Sequence, residues 1–267
     1  MHNRRLPHFL LQALLFLLLP TLTGAAPFIG SGILDTIEGL LGTTNSSLAA
    51  GLTALLGDHG SVIFQNGLMD EKTNRTTRHC PRMAVIFAKG ASEPGNVGIL
   101  AGPPFFAAIA EYMNGTNQLA IQGVNYEAQA AGFLAGGSVK GATMMASLIN
   151  STLVTCPSTP LLLSGYSQGA QLVHLATSML PSDTASKIAS IILFGDPKNG
   201  TTIQGVESAR IRTFCHAADI ICKGGEAVLK DHLTYAKDAR SAAMWAMGSV
   251  AQLGISSMRM DESGIEG

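Results

Sequence analysis

Leu161-Leu162-Leu163-Ser164-Gly165-Tyr166-Ser167-Gln168-Gly169-Ala170 joins an apolar run to an alanine-rich helical segment through a Gly-x-Ser-x-Gly turn. Strand, sharp turn and helix, in that order, form the setting of a nucleophile elbow. The two glycines have a steric reason, because a turn this tight leaves no room for side chains two positions either side of the serine. A pentapeptide alone arises by chance. Its place directly after a buried-type strand is what predicts an α/β domain with Ser167 as a nucleophile.

Outward from this stretch, short β-type runs alternate with helical ones between Cys80 and Arg240. The strand candidates are Met83–Ala88, Leu119–Val124, Leu161–Ser164, Ile191–Phe194 and Arg210–Phe214, with helices near Pro104–Met113, Val139–Ile149, Ala170–Leu180 and Thr184–Ala189. This alternation predicts a compact three-layer α/β/α domain on a mostly parallel sheet of about five strands, with no large lid. Arg4-Arg5, the apolar run Phe9–Leu19 and the small residues through Ala26 read as a signal peptide over 1–26. That run is too short to span a bilayer. No later stretch is long enough either, so the chain is expected to be exported, soluble and without stable membrane insertion. Residues 27–79 are expected to be an N-terminal extension or propeptide, with weak amphipathic stretches at Ile33–Leu41 and Leu48–Leu56, and 80–240 the folded domain. Residues 241–267 carry a helical spacing at Ala243, Trp245, Ala246, Val250 and Leu253, which predicts a docked terminal helix and a frayed tail.

Four cysteines, Cys80, Cys156, Cys215 and Cys222, point to two disulfides in an oxidising compartment. Three pairings are formally possible. Cys215 and Cys222 would close a short loop, leaving Cys80 and Cys156 as a long-range staple. The spacing lacks the paired Cys-x-x-Cys of a zinc site, so no metal is expected. Sequons at Asn45, Asn74, Asn114, Asn150 and Asn199 would make the exported chain a glycoprotein. A net charge of -1 and 13% charged residues leave no basic stripe, which excludes nucleic-acid partners.

A serine hydroxyl is a weak nucleophile near neutral pH and requires a neutral histidine held by a carboxylate. In α/β-hydrolases the acid and then the histidine follow the serine along the chain. That order excludes His59 and His79. His174 lies about 10 Å along the nucleophile helix at 1.5 Å per residue, too far to reach back, and reads as a packing residue. Of His216 and His232, the second follows a longer glycine-containing loop and is preferred as the base. Asp219 lies inside the short Cys215–Cys222 loop, just after a strand ending at Phe214, which favours it as the acid. Asp196, in Gly195-Asp196-Pro197, reads as a turn-forming residue. Asp231 adjoins His232 and is poorly placed to face it.

Ala88-Lys89-Gly90-Ala91-Ser92-Glu93-Pro94-Gly95-Asn96, Ile121-Gln122-Gly123-Val124, Gly165-Tyr166-Ser167-Gln168-Gly169-Ala170, Cys215 with Asp219 and Cys222, and His232-Leu233-Thr234-Tyr235 together resemble the cutinase family of secreted serine esterases. The resemblance runs from Cys80 to Arg240. It implies Ser167 as nucleophile, Asp219 as acid, His232 as base, Cys80–Cys156 and Cys215–Cys222 bridges, and an exposed serine without a lid. The loop after the first strand looks like the family's oxyanion-hole loop. There Ala91 stands where the family usually has a hydroxyl side chain, leaving the backbone N–H groups of Ala91 and Gln168 as donors, with Ser92 adjacent. Loss of one such donor costs ~2.7–4 kcal/mol.

Val228 and Leu229, between Cys222 and His232, would form an apolar rim for an acyl chain, or else belong to an ordinary surface loop. No Arg or Lys cluster adjoins the site, so a lipid-like ester suits it better than a charged substrate. The expectation is a carboxylic ester hydrolase, a cutinase, acting as a monomer without cofactor on cutin or on short- to medium-chain acyl esters. An acetylxylan-type esterase is the second reading. A catalytically weak secreted binding protein on the same scaffold is the third.

Overall fold

The computed structural model describes residues 63–70, 75–76, 80–116 and 118–252. The signal peptide, both amphipathic stretches of the extension, Asn45, Asn74 and the end of the tail lie outside them.

Five strands, β1 Met83–Ala88, β2 Leu119–Gly123, β3 Leu161–Tyr166, β4 Ser190–Phe194 and β5 Ile211–Phe214, form one sheet in the order β2-β1-β3-β4-β5. Every neighbouring pair is parallel. The inner strands read Met-Ala-Val-Ile-Phe-Ala and Leu-Leu-Leu-Ser-Gly-Tyr with no polar alternation, because helices cover both faces. Alternate residues therefore feed two cores. Ala84, Ile86, Leu161, Leu163, Ile191 and Leu193 pack beneath α3 Val139–Thr155 and α4 Gln168–Ser178. Val85, Phe87, Leu162, Ile192 and Phe194 pack beneath α1 Gly102–Tyr112 and α6 Ala239–Gln252.

Local chemistry sets the helix starts. Pro103 and Pro104 open α1, where a missing N–H costs nothing. Ser138 caps α3, its hydroxyl accepting the Gly141 N–H at 3.1 Å. The short helix predicted at Thr184–Ala189 is instead α5, Ser182–Ala185, because Ala189 turns into the sheet and gives its N–H to the Leu161 carbonyl. A five-residue helix, α2 Ala130–Leu134, was not expected.

The chain steps from β1 outward to β2 and then back across β1 to β3. This reversal puts the topological switch point of the sheet at the carboxyl ends of β1 and β3, where open α/β sheets place their ligands. The loop Lys89–Leu100 leaves β1 there, and Ser167 follows β3. Among the described residues no helix is long and apolar enough to cross a membrane.

Candidate active site

Ser167 sits between β3 and α4 at φ 56 and ψ -118, on the positive-φ side that residues with a side chain rarely adopt. Its neighbours hold it there. The Ser167 N–H donates to the Phe194 carbonyl at 2.9 Å. A Cβ on Gly165 would meet the Gly169 carbonyl oxygen at 2.4 Å, and one on Gly169 would meet the Ala88 carbonyl oxygen at 1.9 Å. Gly165 thus lets the first turn of α4 press against the end of β3, and Gly169 lets it press against the end of β1. The strain of such a residue, of order 1–3 kcal/mol, persists only where packing over-determines it.

The Ser167 hydroxyl lies 2.8 Å from His232 Nε2. His232 Nδ1 lies 2.7 Å from Asp219 Oδ2. Asp219 is enclosed, and its second oxygen accepts the Ile221 N–H at 3.0 Å inside the ring closed by Cys215–Cys222. The other bridge joins Cys80 to Cys156. Because Asp219 can only accept, it fixes the proton on Nδ1 and turns the Nε2 lone pair towards the serine. Ser167 has 6% of its surface accessible, so the expectation of an exposed serine is corrected. The elbow backbone is enclosed by β4, and its hydroxyl is covered by the His232 imidazole.

Two tyrosines that no reading of motifs assigned complete the setting. Tyr235 donates its hydroxyl to Asp219 Oδ2 at 2.6 Å and accepts the His216 N–H at 3.1 Å. Tyr166 donates to the His232 carbonyl at 2.8 Å, its ring 5.1 Å from the imidazole. Both lie within motifs already quoted, but a tyrosine in a motif does not say which oxygen it will reach. Gly195, at φ 54, leaves space for the imidazole, since a Cβ there would approach His232 Cε1 at 2.7 Å.

The remaining candidates are engaged elsewhere. His174 pairs with Asp196 at 2.9 Å, and Asp196 also accepts the Lys198 N–H at 2.8 Å, the turn role its sequence suggested. His216 reaches Asp238 at 2.6 Å and stacks on Tyr235 at 4.2 Å. Val228 and Leu229 are 39% and 42% exposed, and the Leu229 carbonyl accepts the His232 N–H at 3.0 Å. Ala91 lies between Gly90, whose N–H donates to Glu93 at 2.7 Å, and Ser92, whose N–H donates to the Ala128 carbonyl at 2.6 Å. The Ser92 N–H is therefore committed. The Gln168 N–H belongs to the first turn of α4, which has no intrahelical partner.

Burial pushes the His232 imidazole below the ordinary histidine range, against the opposing pull of Asp219. A base that must be neutral then remains so below the ordinary histidine value of about 6.5. Ester turnover is expected to hold through mildly acidic pH and to fall only as His232 protonates, which a kcat/KM profile from acid to alkaline buffer measures. A midpoint above the ordinary histidine value would contradict it. In the same acid range the unfolded chain binds this proton more readily than the folded one. The contribution of His232 to stability is thus complete above about pH 6.5 and is lost as pH falls.

The strand order and a serine on a strand-to-helix elbow, in line with a histidine and an aspartate, define an α/β-hydrolase. The match to known proteins is narrower. The cutinase family model matches residues 79–250, and the chain belongs to that family. It is 48% identical over 166 residues to a cutinase of Botryotinia fuckeliana, covering 62% of this chain and 82% of that one. It is 45% identical over 174 residues to cutinase pbc1 of Pyrenopeziza brassicae, covering 65% and 85%. A solved Trichoderma reesei cutinase, in complex with a C11Y4 phosphonate inhibitor, superposes with a TM-score of 0.64 at 36% identity, covering 88% of this chain and 98% of that one. An acetylxylan esterase structure at 20% identity and TM-score 0.54 shares the fold. The protein is a carboxylic ester hydrolase.

Proposed function

We propose that the protein is a secreted serine esterase that cleaves the ester bonds of cutin, or of short- to medium-chain acyl esters, through an acyl-enzyme. The observation that carries this reading is the unbroken chain Ser167–His232–Asp219 at 2.8 and 2.7 Å. His232 takes the serine proton as Oγ attacks the ester carbonyl, forming a tetrahedral intermediate. Asp219 stabilises the imidazolium. The same proton passes to the departing alcohol, and water, activated by His232, then releases the acid and regenerates Ser167. The Ala91 and Gln168 N–H groups are the donors for the developing oxyanion. Export is supported by the signal-like leader, and by two disulfides that an oxidising compartment preserves.

The exposed Val228 and Leu229, four and three residues before the base, support an acyl chain as the group recognised. Each methylene buried against such a rim contributes about 0.8 kcal/mol. On p-nitrophenyl esters, kcat/KM is therefore expected to rise from acetate to butyrate, and cutin to release free acids. A sharp loss between acetate and butyrate would overturn the acyl-chain reading in favour of an acetyl-specific esterase.

A further inference from the structure

Residues 63–68 precede the span matched by the family model, yet they are built into the domain. Gly67 donates its N–H to the Ile121 carbonyl at 2.8 Å, Gly123 donates to the Gln65 carbonyl at 2.8 Å, and Asn66 bridges Gln122 in antiparallel sense. The segment is thus a strap along the outer edge of β2. Leu68 is buried in the α3/α4 core and anchors one end.

The other end engages the loop that carries Ala91. The N–H groups of Asn96 and Val97 both donate to the Ile63 carbonyl, at 2.8 and 3.2 Å. The buried Asn96 side chain copies a rung of sheet pairing, its Oδ1 accepting the Gln65 N–H at 2.9 Å and its Nδ2 donating to the Gln65 carbonyl at 3.1 Å. Nδ2 also donates to Asn66 Oδ1 at 3.0 Å. Gly95, at φ +63, is required for this approach, since a Cβ there would lie 1.9 Å from the Ile63 oxygen.

Inside the loop, one carboxylate gathers the rest. Glu93 accepts N–H groups from Gly90, Ile99 and Leu100 at 2.7, 2.9 and 2.9 Å. Burial pushes its carboxyl above the ordinary range, and those three N–H groups oppose the shift. Lys89 Nζ donates to the Gly95 carbonyl, tying the strap's contact point to the start of the loop, two residues from Ala91.

We infer that the strap Ile63–Leu68 positions the oxyanion loop, so that full activity requires these residues to stay with the domain after any maturation cleavage. The inference rests on the serine esterase reading. Without the strap, the buried Asn96 amide would lose its bonds to Gln65 and Asn66, keeping only a 3.5 Å contact to the Gly123 carbonyl, and Pro94–Val97 would lose their outer support. The Ala91 N–H would then no longer be held for the transition state. The strap supports the site from outside, through backbone and Asn96 contacts rather than through Ser167, His232 or Asp219.

The test uses the full chain with Gln65→Pro, which removes the N–H given to Asn96, beside Gln65→Ala, which keeps it. Gln65→Pro is expected to lower kcat on p-nitrophenyl butyrate, and the rate of fluorophosphonate labelling, about tenfold with KM changed less than about twofold. Gln65→Ala should match the unaltered chain. Asn96→Asp, which keeps the acceptor and loses the donor, should lower kcat in the same direction. Equal kcat for the proline and alanine variants overturns the inference, as does a fall that tracks loss of near-ultraviolet circular dichroism. If the unaltered chain itself does not label, the esterase reading fails and the inference with it. If it labels equally in all variants, only the inference fails.

Discussion

Ser167→Ala is expected to reduce kcat on p-nitrophenyl butyrate about 10⁶-fold, His232→Ala to reduce it by a similar factor, and the double variant to fall no further. The reason is the single proton that Oγ and Nε2 share at 2.8 Å. A serine without its base is a poor nucleophile, and a base without the serine has nothing to activate. Their contributions are therefore not additive. The residual rate comes from binding and from the oxyanion donors, which neither substitution touches. Steady-state kinetics of the three variants, with circular dichroism to show that each folds, measure this. Independent, multiplying losses would show that the two side chains act separately.

Asp219→Asn is expected to cost about 10⁴ in kcat at neutral pH. Asparagine fills the same volume, but its donors cannot be accommodated. If its oxygen takes the place of Oδ2, His232 and Tyr235 keep their acceptor while the amide nitrogen faces the Ile221 N–H, donor against donor. If it turns over, the amide donates towards His232 Nδ1, the imidazole shifts its proton to Nε2, and the serine loses its base. The first orientation also leaves a buried donor unpaired, costing about 1–3 kcal/mol of stability. A thermal melt beside the kinetics separates these two consequences. Near-normal turnover in a folded Asp219→Asn protein would show that the carboxylate does not set the tautomer.

The central strands were legible because β1, β3 and β4 are covered on both faces and consist of apolar runs with turn residues at their ends. The serine was legible because its two glycines answer a steric demand, visible here in the approach of Gly169 to the Ala88 carbonyl. His232 and Asp219 followed from chain order and from the small cysteine-closed loop. Short-range signals ended there. The strap carries no alternating pattern, since its pairing to β2 uses backbone groups that any sequence supplies. Glu93 and Asn96 stood inside a quoted motif, yet their partners lie on other segments and no spacing rule names them. Tyr235 was likewise seen without its bond to Asp219. Helix α2 escaped because five residues containing Gly132 offer too little periodicity. The enclosure of Ser167 was missed because it depends on where β4 and His232 come to rest around the turn.

The most direct measurement is the mass of the intact protein, with peptide mapping, after brief exposure to a fluorophosphonate. The geometry predicts one adduct per chain, on Ser167, formed quickly in the unaltered protein and far more slowly after His232→Ala. A folded protein that remains unlabelled, or that carries the adduct on another residue, would contradict it.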